Sequence, residues 1–158
     1  MSRRVSRFMA ASKDEEKSGL RVLIVRGSFA SLGGAERELL QLIRATSQRW
    51  EVSLASLDFT EDAKALLDDA SLRLLLPEKP IQWPNGAVAE VMAKASTSAE
   101  KMWRNVEIPW DEFDAVHISV CRGSLEILPL IPAHLPVHYH CLEPPRWLYE
   151  DVLHRHVD

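Results

Sequence analysis

The stretch from Leu20 to Val25 (Leu-Arg-Val-Leu-Ile-Val) constrains this chain more than any other feature. A short, nearly continuous run of branched apolar residues suits a strand buried on both faces, as in a parallel sheet. Parallel neighbours need long crossovers, usually helical, so such a strand demands helices around it. The next residues supply one. A glycine-containing stretch runs from Gly27 to Gly34, and then Ala35, Leu39, Leu42, Ile43 and Thr46 recur at helical spacing, predicting a helix over about 34–48. Strand, glycine turn and helix open a βαβ unit.

The alternation continues along the chain. Val52, Leu54 and Ala55 predict a second strand, Glu61–Asp69 a short helix, and Leu72–Leu76 a third strand closed by Pro77 and Pro80. Val88, Val91, Met92, Ala95, Ala99 and Met102 share one helical face. Asp114–Ser119 predicts a fourth strand, Ser124–Ile131 a short helix and Pro136–Cys141 a fifth strand. A last helix is expected from Pro145, a good first-turn residue, to about His156. Strands alternating with helices predict an α/β domain: a Rossmann-like, doubly wound parallel sheet in three α/β/α layers. It spans 20–158 behind a solvated, disordered tail, 1–19.

Composition excludes several classes. With 46% hydrophobic and 27% charged residues, the chain is built to fold around a core. A net charge of -4 argues against a general nucleic-acid binder, which needs a basic face. Arg3, Arg4 and Arg7 have no apolar segment behind them, so the head is no secretory signal. Two cysteines, Cys121 and Cys141, are far from a disulfide framework; reduced, mostly buried thiols in a cytoplasmic protein are expected.

Ligands of such sheets bind outside the carboxyl ends of the strands, where Gly27–Glu36, His117–Gly123 and His138–Arg146 should converge. Gly33 and Gly34 precede a helix whose free N–H groups and dipole favour an anion. Their spacing from Gly27 fits neither the phosphate loop ending in Gly-Lys-Ser/Thr nor the dinucleotide fingerprint. A tight turn with Glu36 capping the helix dipole accounts for the same residues. In the last segment His140 could move protons near neutral pH, Glu143 could hold sugar hydroxyls or act as a base, and Arg146 offers a fork for phosphate or carboxylate. Equally, Arg146 could pair with Glu143 or Glu150 while Trp147, Leu148 and Tyr149 serve the core.

A branched first strand followed by Gly-Gly-Ala-Glu (33–36), with Tyr-His-Cys-Leu-Glu-Pro-Pro-Arg-Trp-Leu-Tyr-Glu (139–150) about a hundred residues later, resembles the N-terminal half of GT4-type glycosyltransferases of the GT-B fold. The likeness covers about 20–155 and thins between Asp58 and Asp114. It implies an enzyme that moves a sugar from a nucleotide-diphosphate donor to a sugar or lipid-linked acceptor, with retention and without metal or further cofactor. Gly33, Gly34 and Glu36 match the loop that faces the donor phosphates; Glu143, Pro145 and Arg146 match the Pro-Pro-Arg segment. On that basis His140 and Glu143 are the candidate catalytic groups, and His117, Arg146 and Tyr149 the candidate acceptor or cleft contacts. Leu142 stands where relatives often carry His or Gln. The resemblance also implies that 20–158 is an incomplete acceptor-side domain, inactive without a C-terminal donor-binding domain.

Other readings compete. His134, His138, His140 and Cys141, with His154 and His156 nearby, suggest a metal site but contain no established ligand spacing. Asp58, just past the second strand, sits where a nicotinamide enzyme holds its ribose, yet the glycines are wrongly spaced. No G-x-S-x-G elbow supports a serine hydrolase. Lys94, Lys101 and Arg104 could touch a membrane surface, but Glu90 and Glu100 dilute that charge. A stand-alone Rossmann-like module that binds a ligand or partner without catalysis is the main alternative.

Overall fold

The computed structural model describes residues 19–67, 72–84 and 88–142, with only the backbone of 88–93. Among the described residues five strands form one sheet: β1 (Arg21–Val25), β2 (Glu51–Ala55), β3 (Arg73–Leu75), β4 (Ala115–Ser119) and β5 (Val137–His140). Their order is β3-β2-β1-β4-β5 and every pairing is parallel, a Rossmann-like α/β arrangement. Three helices join them: α1 (Gly34–Thr46), α2 (Glu61–Leu67) and α3 (Val88–Trp103).

Around β1 and β2 the sheet is covered on both faces. On one face Val22, Ile24, Val52 and Leu54 pack on Leu39, Leu40 and Ile43 of α1 and on Ala63 and Leu67 of α2. On the other, Leu23, Val25, Ala55, Val116 and Ile118 meet Ala99 and Trp103 of α3, with Ile127 and Leu135. This double burial is why β1 reads as an unbroken apolar run. Trp103 extends the predicted Ala95–Ala99 face by one turn; it is 1% exposed, and its indole N–H donates to the Gly123 carbonyl at 2.6 Å.

Each predicted strand is present within a residue or two, and α2 is described to Leu67. The short helix expected at Ser124–Ile131 is a 3-10 turn over Leu125–Leu130, with Pro129 inside it. Proline has no N–H to give an α-helical ladder, so the segment closes by tighter bonds such as Ile131 N–H to the Leu128 carbonyl. A second 3-10 turn, Trp110–Glu112, has no counterpart in the periodicity. The tail before Gly19 and the helix expected from Pro145 to about His156 lie outside the described residues. Among those described, no helix is long and apolar enough to cross a membrane.

Candidate functional site

The strand order reverses between β1 and β4, so the chain leaves these neighbours in opposite directions and opens a crevice at their carboxyl ends. Gly27 brings the two exits together. A Cβ there would lie 2.1 Å from the Arg122 carbonyl oxygen and 2.6 Å from the Ser124 nitrogen, so only glycine allows the approach. Its N–H donates to the Ser124 hydroxyl at 2.9 Å, and that hydroxyl donates to the Ser119 carbonyl at 2.9 Å. Gly123, at φ 79°, makes the β4 exit turn in the left-handed region.

Arg26 follows β1 directly and is 2% exposed. A buried guanidinium is costly unless its donors are met. Here Nη1 donates to the Ser119 hydroxyl at 2.9 Å, Nε to the Ser28 carbonyl at 3.2 Å, and Nη2 pairs with Glu36 Oε1. The other Glu36 oxygen accepts the Gly33 N–H at 2.8 Å. One carboxylate therefore caps the positive end of α1 and neutralises the buried cation. Gly34 and Ala35 begin the helix ahead of its internal hydrogen-bond ladder. Nothing lies within 4 Å of where a Gly34 Cβ would stand. Gly33 and Gly34 are exposed at this first turn, with the Glu36 carboxylate beside them.

Asp58 ties the β2 exit to the same edge. Its carboxylate accepts the Phe29 N–H, the Ser28 hydroxyl at 2.8 Å and the Trp83 indole N–H at 2.6 Å. These partners give it a structural task in place of a ribose contact. The Trp83 ring covers Gly123, and the exposed Arg122 guanidinium lies 5.2 Å from its centroid. Cys121 accepts the Ser28 N–H at 3.3 Å through its sulfur. Neither cysteine is in a disulfide, and both are half-buried.

The histidines gather elsewhere. His117 sits in the middle of β4, opposite His138 on β5, and His140 pairs with Ser119 in the same register, so all three project from one face. The Nδ1 atoms of His117 and His138 are 2.8 Å apart. His117 Nε2 is buried without a partner. An unmet acceptor costs less there than an unmet N–H, so the proton belongs on His117 Nδ1, donated to His138. Burial first, and then the charges of His138 and His140, hold the His117 pKa down at about 4. Among the described residues no group of three His, Cys, Asp or Glu side chains is placed to hold a metal ion.

The predicted residues thus fall into separate places. Gly33, Gly34 and Glu36 stand together at the crevice, whereas His117 and His140 face an apolar groove on the α1 side of the sheet. Glu143, Arg146 and Tyr149 lie outside the described residues. Two hollows lie away from these residues: one of about 480 Å3 opens at the opposite edge between Trp50, Glu51, Arg73 and Phe113, and one of about 790 Å3 lies beside β3 between Leu75, Pro77, Met102 and Asn105. Arg26, Ser119, Ser124 and Trp83 were not singled out by sequence reasoning. Arg26 had one signal, a charge placed directly after a strand buried on both faces. No family model, curated protein or solved structure matches this chain.

Proposed function

We propose that this domain is the acceptor-side half of a retaining glycosyltransferase of the GT-B type, working on a nucleotide-diphosphate sugar together with a donor-binding domain. The observation that carries the reading is the Gly33–Gly34 turn. It stands at the crevice of a parallel sheet, with free space over Gly34 and a helix start behind it. A diphosphate held against such a turn meets backbone donors and the positive end of α1. Stabilising that leaving group is the main electrostatic demand of the transfer. Acceptor contacts then fall to the segment after β5, with Glu143, Arg146 and Tyr149, whereas His140, the last residue of β5, faces the groove on the α1 side. The work needs no metal in this scheme, and a cytoplasmic setting suits the donor.

One observation favours a second reading, a ligand- or partner-binding module without catalysis. Arg26 and Glu36, the buried cation and its acid at the crevice, are committed to each other. The two readings separate in one experiment. The domain is joined to a second α/β domain encoded downstream or alongside and assayed for nucleoside-diphosphate release from UDP-, GDP- and ADP-sugars with sugar and lipid-linked acceptors. Release that falls at least tenfold in Gly34→Val, with folding intact, supports the transferase. No release with any donor leaves the binding module.

A further inference from the structure

Arg21, Arg26, Arg73 and Arg104 each stand in an ion pair, with Asp114, Glu36, Glu112 and Glu100. Arg122 does not. It is exposed just past β4, no carboxylate pairs with it among the described residues, and its guanidinium lies 5.2 Å from the centroid of the Trp83 ring. The ring's quadrupole attracts the cation. Such a contact consumes none of the five N–H donors, which stay in a rigid planar fork.

Both partners of this stack are fixed in place. Trp83 donates its indole N–H to Asp58 at 2.6 Å, and its ring covers Gly123. Asp58 in turn accepts the Phe29 N–H and the Ser28 hydroxyl, so the indole is tied to the exits of β1, β2 and β4. The Arg122 carbonyl lies against Gly27, where a Cβ would stand only 2.1 Å away. Cys121, the residue before it, accepts the Ser28 N–H at 3.3 Å. A long side chain that usually loses much rotamer freedom on binding is thus held at its backbone and at its head. The acids of this edge are already engaged: Asp58 is buried under three donors, and Glu36 is divided between Arg26 and Gly33.

We infer that Arg122, positioned by Trp83, binds the phosphate group of a small-molecule substrate at the β1–β4 crevice. The guanidinium fork matches two phosphate oxygens at once. At the same edge the exposed Gly33–Gly34 turn opens the 13-residue helix α1, whose positive end favours further negative charge. Two such features suit a group with more than one negative charge, which a phosphate carries and a carboxylate does not. Two sources share that chemistry, a nucleoside diphosphate and a sugar phosphate. The inference concerns binding alone and needs no sugar transfer, so it and the transferase reading can each fail without the other.

The test titrates pyrophosphate, UDP and glucose 1-phosphate into the full chain by calorimetry, at constant ionic strength because salt screens exposed charges. Pyrophosphate should bind, and Arg122→Gln should weaken it by at least about tenfold. Arg122→Lys should restore little, since an ammonium keeps the charge without the fork. Arg122 is exposed, so both variants should keep the native urea midpoint. Trp83 acts through Arg122, so Trp83→Phe should weaken binding about two- to fivefold in the native chain and not beside Arg122→Gln. Tighter binding of UDP would give the site to a nucleotide, and tighter binding of glucose 1-phosphate to a phosphorylated sugar; either supports the inference. No pyrophosphate binding below about 10 mM would overturn it. So would native affinity in Arg122→Gln or Arg122→Lys, or binding of pyrophosphate alone, which would mean a bare anion in place of a substrate. Equal weakening by Trp83→Phe in both backgrounds would overturn the positioning by Trp83.

Discussion

Two glycines at the crevice look alike in the sequence, yet the same substitution should drive them in opposite directions. At Gly27 an added methyl would stand 2.1, 2.5 and 2.6 Å from three backbone atoms of Arg122, Gly123 and Ser124. None of these is the far end of a flexible side chain, so the whole β4 exit must shift by roughly 1 Å to restore ordinary contact. Overpacking of this kind costs about 1–3 kcal/mol. Displacing Gly27 from the Ser124 hydroxyl adds about 1 kcal/mol. We expect Gly27→Ala to lose about 3 kcal/mol, a large share of a small domain's stability. With a urea slope of about 2 kcal/mol/M, the unfolding midpoint should fall by about 1.5 M. Gly34→Ala meets nothing within 4 Å and lies in a helix, so it should hold or gain up to about 1 kcal/mol. Urea unfolding of both variants, followed by circular dichroism, checks the pair. If Gly27→Ala lands within about 1 kcal/mol of Gly34→Ala, the two exits are not packed as described and the crevice geometry falls with them.

Three further outcomes follow from the ionic and polar contacts. Arg21, bonded through its side chain and its N–H, holds the Asp114 pKa at about 2 against an ordinary 3.8. The pair's contribution is complete above pH 3.8 and lost as pH falls through about 2, so Asp114→Asn should flatten the stability curve across that window; an unchanged curve would refute the pairing. For His117 the unfolded chain takes up its proton near 6.5 and the folded chain only near 4, so stability should drop as pH falls through that interval. His117→Leu should remove that part of the slope in urea midpoints measured between pH 7.5 and 4.5, and the same slope in the variant would contradict the burial. Trp83→Phe keeps the ring but deletes the donor to Asp58, and should cost about 1.5–2 kcal/mol in urea unfolding. A loss under about 0.5 kcal/mol would show that Ser28 and Phe29 satisfy the carboxylate alone.

What the sequence disclosed and what it withheld divide along a physical line. Strands and helices are local: the Leu20–Val25 run and the Leu39–Ile43 periodicity carry their own burial pattern, so their identities were readable. The 3-10 turn at Leu125–Leu130 was half readable, since Pro129 marks an interruption without saying which ladder replaces it. The order of the strands is not local. Nothing in β4 states that it lies beside β1, because a crossover of 89 residues separates Val25 from Ala115 in the numbering. Gly33 and Gly34 were found because they sit next to a strand and a helix already recognised.

The crevice contacts that went unseen share one origin. In the β1–β4 register Val22 stands opposite Ala115 and Ile24 opposite His117, a constant offset of 93. Arg21 to Asp114, Arg26 to the Ser119 hydroxyl, and Ser28 to Cys121 all have that same separation. A single register choice therefore creates the edge ion pair, the second anchor of the buried arginine and the joining of the two loops. Slipping it by one residue would turn the His117 side of β4 away from α1 and part all three contacts at once. None of these residues is unusual in its own neighbourhood: an arginine after a strand, a serine at a strand end and a cysteine in a turn are each ordinary. Their meaning arises only from the pairing, and parallel pairing is set by which apolar faces the helices cover. The same logic explains why the three histidines were read as two separate features. His138 and His140 alternate visibly on one strand, but His117 joins them only through the β4–β5 register.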